Sequence, residues 1–224
     1  MTYLLNQSVK NLISEICFLH EKYSYKFFSN IDAVNLKKKQ IRNVIDDESK
    51  LIDDEFIRYV QNYHDFISQL IIEIEFEFEY RDLDFRIRIK QMDSILNKLL
   101  HYRFEKKEEG MVPIIKCLND LLGVRIILDQ FDHDNNDVEV TCNDKKLNMY
   151  KIEPTKNLGA DYKATHIYFI GKNQYFPWEL QIWNSDDSER NQHSHKQHKS
   201  KRDYIHWPER YKSSRETEKE IGGD

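Results

Sequence analysis

Glycine and proline are scarce, at six and four among 224 residues. That shortage excludes low-complexity linkers and predicts long helices and well-made strands. Cysteine is scarcer still. Cys17, Cys117 and Cys142 are widely spaced and odd in number, which excludes a disulfide framework and a zinc knuckle and suits a reducing cytosol. Each reads as a small buried residue. No apolar run approaches the roughly 20 residues that a membrane helix needs. The opening MTYLLNQSVK lacks a basic region, an apolar stretch and a small-residue cleavage site, so no secretory signal is expected and the cytoplasm is the expected location. No internal repeat is present.

The net charge of −5 leaves the whole chain a poor candidate for general nucleic-acid binding. Local balance differs: residues 129–144 are acidic and residues 190–215 basic. The basic segment reads as a solvated helix and tail, or as a surface that steers a polyphosphate or an RNA end.

What is there is 39% hydrophobic and 33% charged, enough for one domain with appendages. Residues 3–29 and 51–72 carry apolar side chains at helical spacing, such as Leu5, Val9, Leu12, Ile13 and Ile16, then Phe56, Tyr59, Val60, Tyr63 and Phe66. The charged stretch between them is expected to face solvent. Residues 71–80 (IIEIEFEFEY) alternate like a strand but continue a glutamate-rich helical pattern, and helix is the expectation. Their glutamates read as solvated carboxylates rather than a metal ladder. Strands are expected at LDFRIRI, GVRIIL, THIYFI and WELQIW, and a helix at DSILNKLLHYRF. The fold expected is α/β (α+β), a mixed sheet of about five strands flanked by helices. Its parts would be an N-terminal helical extension over 1–80, a core over 81–190, and a basic C-terminal helix and tail over 191–224.

Four groups of residues stand out. Arg88 and Lys90 close a strand, and Lys90, Ser94 and Lys98 then form a polar stripe at a helix start. Two lysines, a hydroxyl and a helix N-terminus cradle polyphosphate well, although a lysine-rich outer helix face has the same pattern. Asp120 precedes the turn at Gly123, and Arg125 enters an apolar strand, where it needs a salt bridge, a phosphate or an aromatic base. Asp120 is placed to hold magnesium through a carboxylate oxygen. Tyr162 and His166 run into a strand, where a hydrogen-bonded structural histidine and a core tyrosine are the ordinary readings. Alternation puts Glu179, Gln181 and Trp183 on one face of the last strand. They fit a wet edge strand or the lining of a nucleotide cleft, with Glu179 as base or metal partner. Of the late histidines His193, His195, His198 and His206, the i, i+3 pair His195 and His198 lacks a cysteine or carboxylate to complete a zinc set, and all four read as surface residues.

In order and spacing these groups resemble the synthetase domain of the RelA/SpoT alarmone family. The pattern is R-x-K-x-x-x-S-x-x-x-K at Arg88, Lys90, Ser94 and Lys98, then D-x-x-G-x-R at Asp120, Gly123 and Arg125. A tyrosine four residues before a histidine follows at Tyr162 and His166, then E-x-Q at Glu179 and Gln181. The match covers about residues 85–184, with no hydrolase domain before it, as in a single-domain small alarmone synthetase.

The resemblance implies a nucleotidyltransferase-like synthetase fold. It also implies transfer of the β,γ-pyrophosphate of ATP to the 3′-hydroxyl of GDP or GTP, giving (p)ppGpp and AMP. Arg88 and Arg125 would sandwich adenine, and Lys90, Ser94 and Lys98 would hold the ATP phosphates. Asp120 and Glu179 would flank Mg2+, and Glu179 would also take the hydroxyl proton. Tyr162, His166 and Gln181 would bind the acceptor, Tyr162 by stacking on its base. Departures fall on the acceptor side: Asp161 stands where the family has glycine, and Trp183 and Asn184 where it has arginine and threonine. They fit the toxic small synthetases, some of which modify the 3′ end of tRNA or use adenosine nucleotides. That branch implies a restraining antitoxin docked on the N-terminal helices, and small members of the family often form homo-oligomers. A non-catalytic nucleotide-binding module is the remaining reading, and both acidic residues and both lysines count against it.

Overall fold

The computed structural model describes residues 7–73, 80–134, 136–143 and 152–200. The amphipathic pattern at the start gives helix α1 (Gln7–Phe28), which buries Val9, Leu12, Ile13 and Ile16. Helix α2 (Asp54–Glu73) begins where the Asp53 carboxylate accepts the Phe56 amide at 2.8 Å, with Asp54 and Glu55 in its first turn. A capping carboxylate and early acidic residues are what a helix N-terminus favours. The helical expectation for 71–80 holds to Glu73; its remainder, 74–79, lies outside the described residues.

Strand β1 (Arg86–Ile89) leads into α3 (Met92–Phe104), the short α4 (Ile114–Cys117) and β2 (Leu122–Leu128). After α5 (Asp137–Cys142) come β3 (Ile152–Leu158), β4 (Lys163–Phe169), β5 (Trp178–Asn184) and α6 (Ser188–Ser200). The strands make one sheet in the order β1-β2-β5-β4-β3. β2 and β5 run parallel, and the other neighbours are antiparallel. The sequence pattern did not single out β3. Pro154 and a half-exposed surface mask it, and both are tolerated because it is an edge strand.

The period of two sorts the sheet into an apolar and a polar face. Leu122, Val124, Ile126, Trp178, Leu180 and Ile182 are all buried on the apolar face. Helices α1 and α2 cover it: Trp178 donates its indole N–H to the Tyr63 hydroxyl at 2.8 Å, and the His20 ring packs edge-on against Trp178. Each large side chain so buried contributes about 1.5–3 kcal/mol.

The stretch between α1 and α2, expected to face solvent, instead buries Leu36, Ile41, Val44, Ile45 and Ile52. Backbone bonds tie it to distant chain: Leu36 N–H to the Asn173 carbonyl at 2.9 Å, and Ile41 N–H to the Val112 carbonyl at 3.1 Å. The apolar residues follow no helical or strand period because the backbone there is irregular, so charge content alone misled.

Helix α6 lies against β4 with an inner face of unusual polarity. Asn191 is fully buried, accepting the Lys163 N–H at 2.9 Å and donating to the Lys163 carbonyl at 2.7 Å. One side chain thus satisfies both backbone groups of a strand residue, as a neighbouring strand would. Asn191→Ala would strand both groups and should cost about 2 kcal/mol. A lower urea midpoint with an unchanged denaturant slope is the expected reading.

Candidate functional site

The polar face of the sheet carries the singled-out residues because the register aligns them. Tyr168 pairs with Glu179 and His166 with Gln181 across β4 and β5. Gly123 pairs with Glu179 and Arg125 with Gln181 across β2 and β5, and Arg88 pairs with Gly123 across β1 and β2. Directly opposed residues project to the same side. Gly123 leaves space for its neighbour: a Cβ there would stand 3.6 Å from Arg88 Nε, so the Arg88 side chain lies over the glycine.

These residues open into a cleft of about 900 Å³ lined by Arg88, Lys90, Ser94, Lys98, Asp120, Tyr162, His166, Glu179 and Gln181. Arg125 lines a second cavity of about 360 Å³, which shares Arg88, Gln181 and His195 with the first. Side chains the motif reading left out also line the main cleft: Tyr102, Lys116 and Asn119 on one side, and Thr155, Lys156, Asn157 and Tyr168 on the other. β3 was invisible in the pattern, and so were its contributions. Tyr168 was legible as a neighbour of His166 on one strand face.

Helix α3 starts at Met92, one residue before the expected position, and its N-cap Gln91 makes no side-chain capping bond. Ile95, Leu96, Leu99 and Leu100 fix its buried face, which turns Lys98 toward the cleft. There Lys98 Nζ donates to Asp120 Oδ1 at 3.1 Å and to Asn119 Oδ1 at 3.0 Å, while Lys90 Nζ donates to Asp120 Oδ2 at 2.5 Å. Burial by itself would raise the Asp120 carboxyl, but the two ammonium groups outweigh it and hold it at about 2. Burial is also the main reason that Lys90 is pushed below the usual lysine value.

Glu179 is the deepest acid, with 4% of its surface exposed. Because β5 is paired on both sides, the edge-strand alternative does not apply. Its Oε1 lies 2.9 Å from His166 Nδ1, and its Oε2 accepts the Gln181 amide at 2.8 Å. Burial pushes this carboxyl up, and the His166 and Gln181 hydrogen bonds bring it below its ordinary value. Glu179 is therefore ionised at neutral pH and close-packed, yet it opens on the cleft.

Among the described residues no group of three or more His, Cys, Asp or Glu side chains is placed to hold a metal ion. Two ionised carboxylates do face the same cleft, Asp120 beside Lys90 and Lys98 and Glu179 beside His166 and Gln181. Such hard oxygen donors fit Mg2+, which commonly takes one or two carboxylates and completes its shell with phosphate and water.

Among the described residues half-buried Arg125 forms no ion pair, with Asp84 acting on it only at a distance. Its guanidinium sits 4.1 Å from the centre of the Trp183 ring, and Trp183 is fully buried. The His195 imidazole stacks on the same indole at 5.6 Å and 27°. Tyr162 meets Trp183 and His195 edge-on at 6.1 and 5.3 Å. The reading of His195 as a surface residue is therefore corrected: the polar inner face of α6 turns it into the site. His193 is exposed as expected, and His206 lies outside the described residues with the rest of 201–224.

One consequence concerns acid. Asp120 is held at about 2 against an ordinary 3.8, so it contributes stability that is full above the ordinary value and is lost as pH falls toward 2. Urea midpoints measured from pH 5 down to pH 2.5 should fall more steeply for the native sequence than for Asp120→Asn, which has no such proton to take up.

No helix among the described residues is long and apolar enough to cross a membrane. No family model matches the chain, and no curated protein matches it. Among solved structures the chain is similar to the small alarmone synthetase 1 from Bacillus subtilis, at 18% identity and a TM-score of 0.39 over 76% of this chain and 95% of that one. It is similar, too, to the same synthetase bound to its product pppGpp (18%, TM-score 0.41, the same coverage) and bound to AMPCPP (17%, TM-score 0.32, 75% and 92%).

Proposed function

We propose that this chain is a pyrophosphokinase that moves the β,γ-pyrophosphate of ATP onto the 3′-hydroxyl of GDP or GTP. The observation that carries this is the charge arrangement in one cleft: Arg88, Lys90 and Lys98 form a cationic wall, and across the sheet a buried, ionised Glu179 waits with only hydrogen-bond partners around it. Phosphate binding explains the wall, and a base explains the carboxylate. The order of the RelA/SpoT motifs along the chain supports the same reading.

In this mechanism Lys90, Ser94 and Lys98 grip the triphosphate, and Arg88 and Arg125 hold the adenine by their flat guanidinium faces. Tyr162, His166 and Gln181 position the acceptor. Glu179 takes the proton of the 3′-hydroxyl as its oxygen bonds to the β-phosphorus. The bond from that phosphorus to the α,β-bridging oxygen breaks, and AMP leaves with that oxygen. Asp120 and Glu179 would hold Mg2+, which when bound neutralises phosphate charge. Most of the rate enhancement comes from positioning and from charge aimed at the transferring group.

A second acceptor, the 3′ end of tRNA, is favoured by one observation. Trp183 stands buried under Arg125, where the family carries an arginine, so the acceptor side is rebuilt while the phosphate wall is kept. An antitoxin on the N-terminal helices would accompany that reading.

The test is γ-labelled ATP with magnesium and GDP, GTP, ADP or bulk tRNA as separate acceptors. Label on a guanosine nucleotide supports alarmone synthesis, and label on tRNA alone replaces it with the second reading. Absence of transfer to any acceptor would leave a nucleotide-binding module and overturn both.

A further inference from the structure

Helix α6 is polar on every side, yet it buries Asn191 and Ser194 and turns His195 onto Trp183. The polarity follows from its seat, because it covers the polar face of the sheet rather than the apolar one. His195 occupies a junction there, lining the main cleft and the smaller cavity alike. The smaller cavity is walled by Arg88, Gly123, Arg125 and, from α6, His195 and Lys196. At about 360 Å³ it has room for a purine ring but not for a whole nucleoside triphosphate beside it.

Two flat groups lie against one indole: the Arg125 guanidinium at 4.1 Å and the His195 imidazole at 5.6 Å from the Trp183 ring. Arg125 and Trp183 are diagonal neighbours on β2 and β5, so the sheet sets their spacing. The guanidinium packs on Trp183 and also lines the smaller cavity, where a base could meet it. Tyr162 meets the indole edge-on, and His195 of α6 is the ring that stacks on it. Removing that imidazole frees Trp183 to tilt, and Arg125 then loses the surface that keeps its plane fixed.

We propose that His195 is a positioning residue for the purine base of the donor nucleotide, acting through Trp183 on Arg125. This rests on the donor assignment made above and extends it to a helix outside the motif region. The C-terminal helix thereby becomes part of the base pocket, and α6 has to be docked before the base is held.

The test uses the full chain and two variants, His195→Ala and His195→Phe, with ATP and inorganic triphosphate as separate ligands in calorimetric titrations without acceptor. His195→Ala should weaken ATP binding about tenfold, the size expected for losing an aromatic contact and the cation stack behind it. Triphosphate, which has no base, should bind His195→Ala as it binds the native sequence. His195→Phe keeps a flat ring against the indole and should restore ATP binding to within about threefold. Unchanged ATP binding in His195→Ala overturns the proposal, as does equal weakening of triphosphate, which would mean the whole cleft had shifted. Failure of His195→Phe to restore binding removes the stacking role. If the native chain binds triphosphate but gains nothing from the adenosine moiety, the donor assignment itself fails, a result distinct from each of these.

Discussion

Glu179→Gln should lower kcat for pyrophosphate transfer about 10³-fold while leaving the denaturation midpoint nearly unchanged. Glutamine has the shape of glutamate but cannot take the proton of an attacking hydroxyl. The two partners of Glu179 can adapt to it. Either His166 shifts its proton so that Nδ1 accepts the new N–H, or Gln181 turns its amide so that its oxygen does, while the other partner goes on donating to the remaining oxygen. Since both bonds survive, one of them in reversed sense, packing in the middle of the sheet stays intact. ATP binding should survive as well, because the cationic wall comes from β1, α3 and the turn between them rather than from β5. Near-native turnover in this variant would remove Glu179 as the base and with it the mechanism proposed here.

Asp120→Asn is expected to do two things at once. It leaves Lys90 and Lys98 facing each other without the carboxylate that both contact. Breaking a buried ion pair from one side costs about 3–5 kcal/mol, and the lower end applies because these side chains keep 14–23% of their surface exposed. Lys98 also retains Asn119. Transfer should be lost in the same variant. Stability and catalysis separate in a double variant, Asp120→Asn with Lys90→Met. Removing one of the crowded cations should recover most of the midpoint, while activity should fall below that of Lys90→Met alone. Activity equal to that of Lys90→Met would make Asp120 a structural counter-ion with no part in the chemistry.

Much of the site was legible because its residues sit on regular elements with a fixed period. Alternation along Trp178–Trp183 put Glu179, Gln181 and Trp183 on one face, and the sheet has them there. Ser94 and Lys98 share one face of α3 for the same reason, while Lys90 stands in the turn between β1 and α3 and was legible only from the motif. What stayed hidden depended on tertiary placement. No local rule says that a hydrophilic helix such as α6 will lie on a polar sheet face, so His195 and Ser194 looked like surface. Nor could the sequence show that Arg125 would choose an indole two residues along the neighbouring strand over a carboxylate. The 30–53 segment failed differently: its buried residues are spaced by loop geometry, which has no period to read.

The strand order has a consequence for how the protein is made. Among the described residues β5 is the last of the five strands, yet it stands at the centre of the sheet and joins β2 to β4. A chain emerging from the ribosome and stopped short of Trp178 therefore holds two disconnected pairs, β1 with β2 and β3 with β4, with a raw seam between them. Such long-range closure is slow and leaves strand edges exposed while it waits. On the function proposed above, the acid that would activate the acceptor is carried by the piece that closes the seam, so the base and its scaffold are completed in one event.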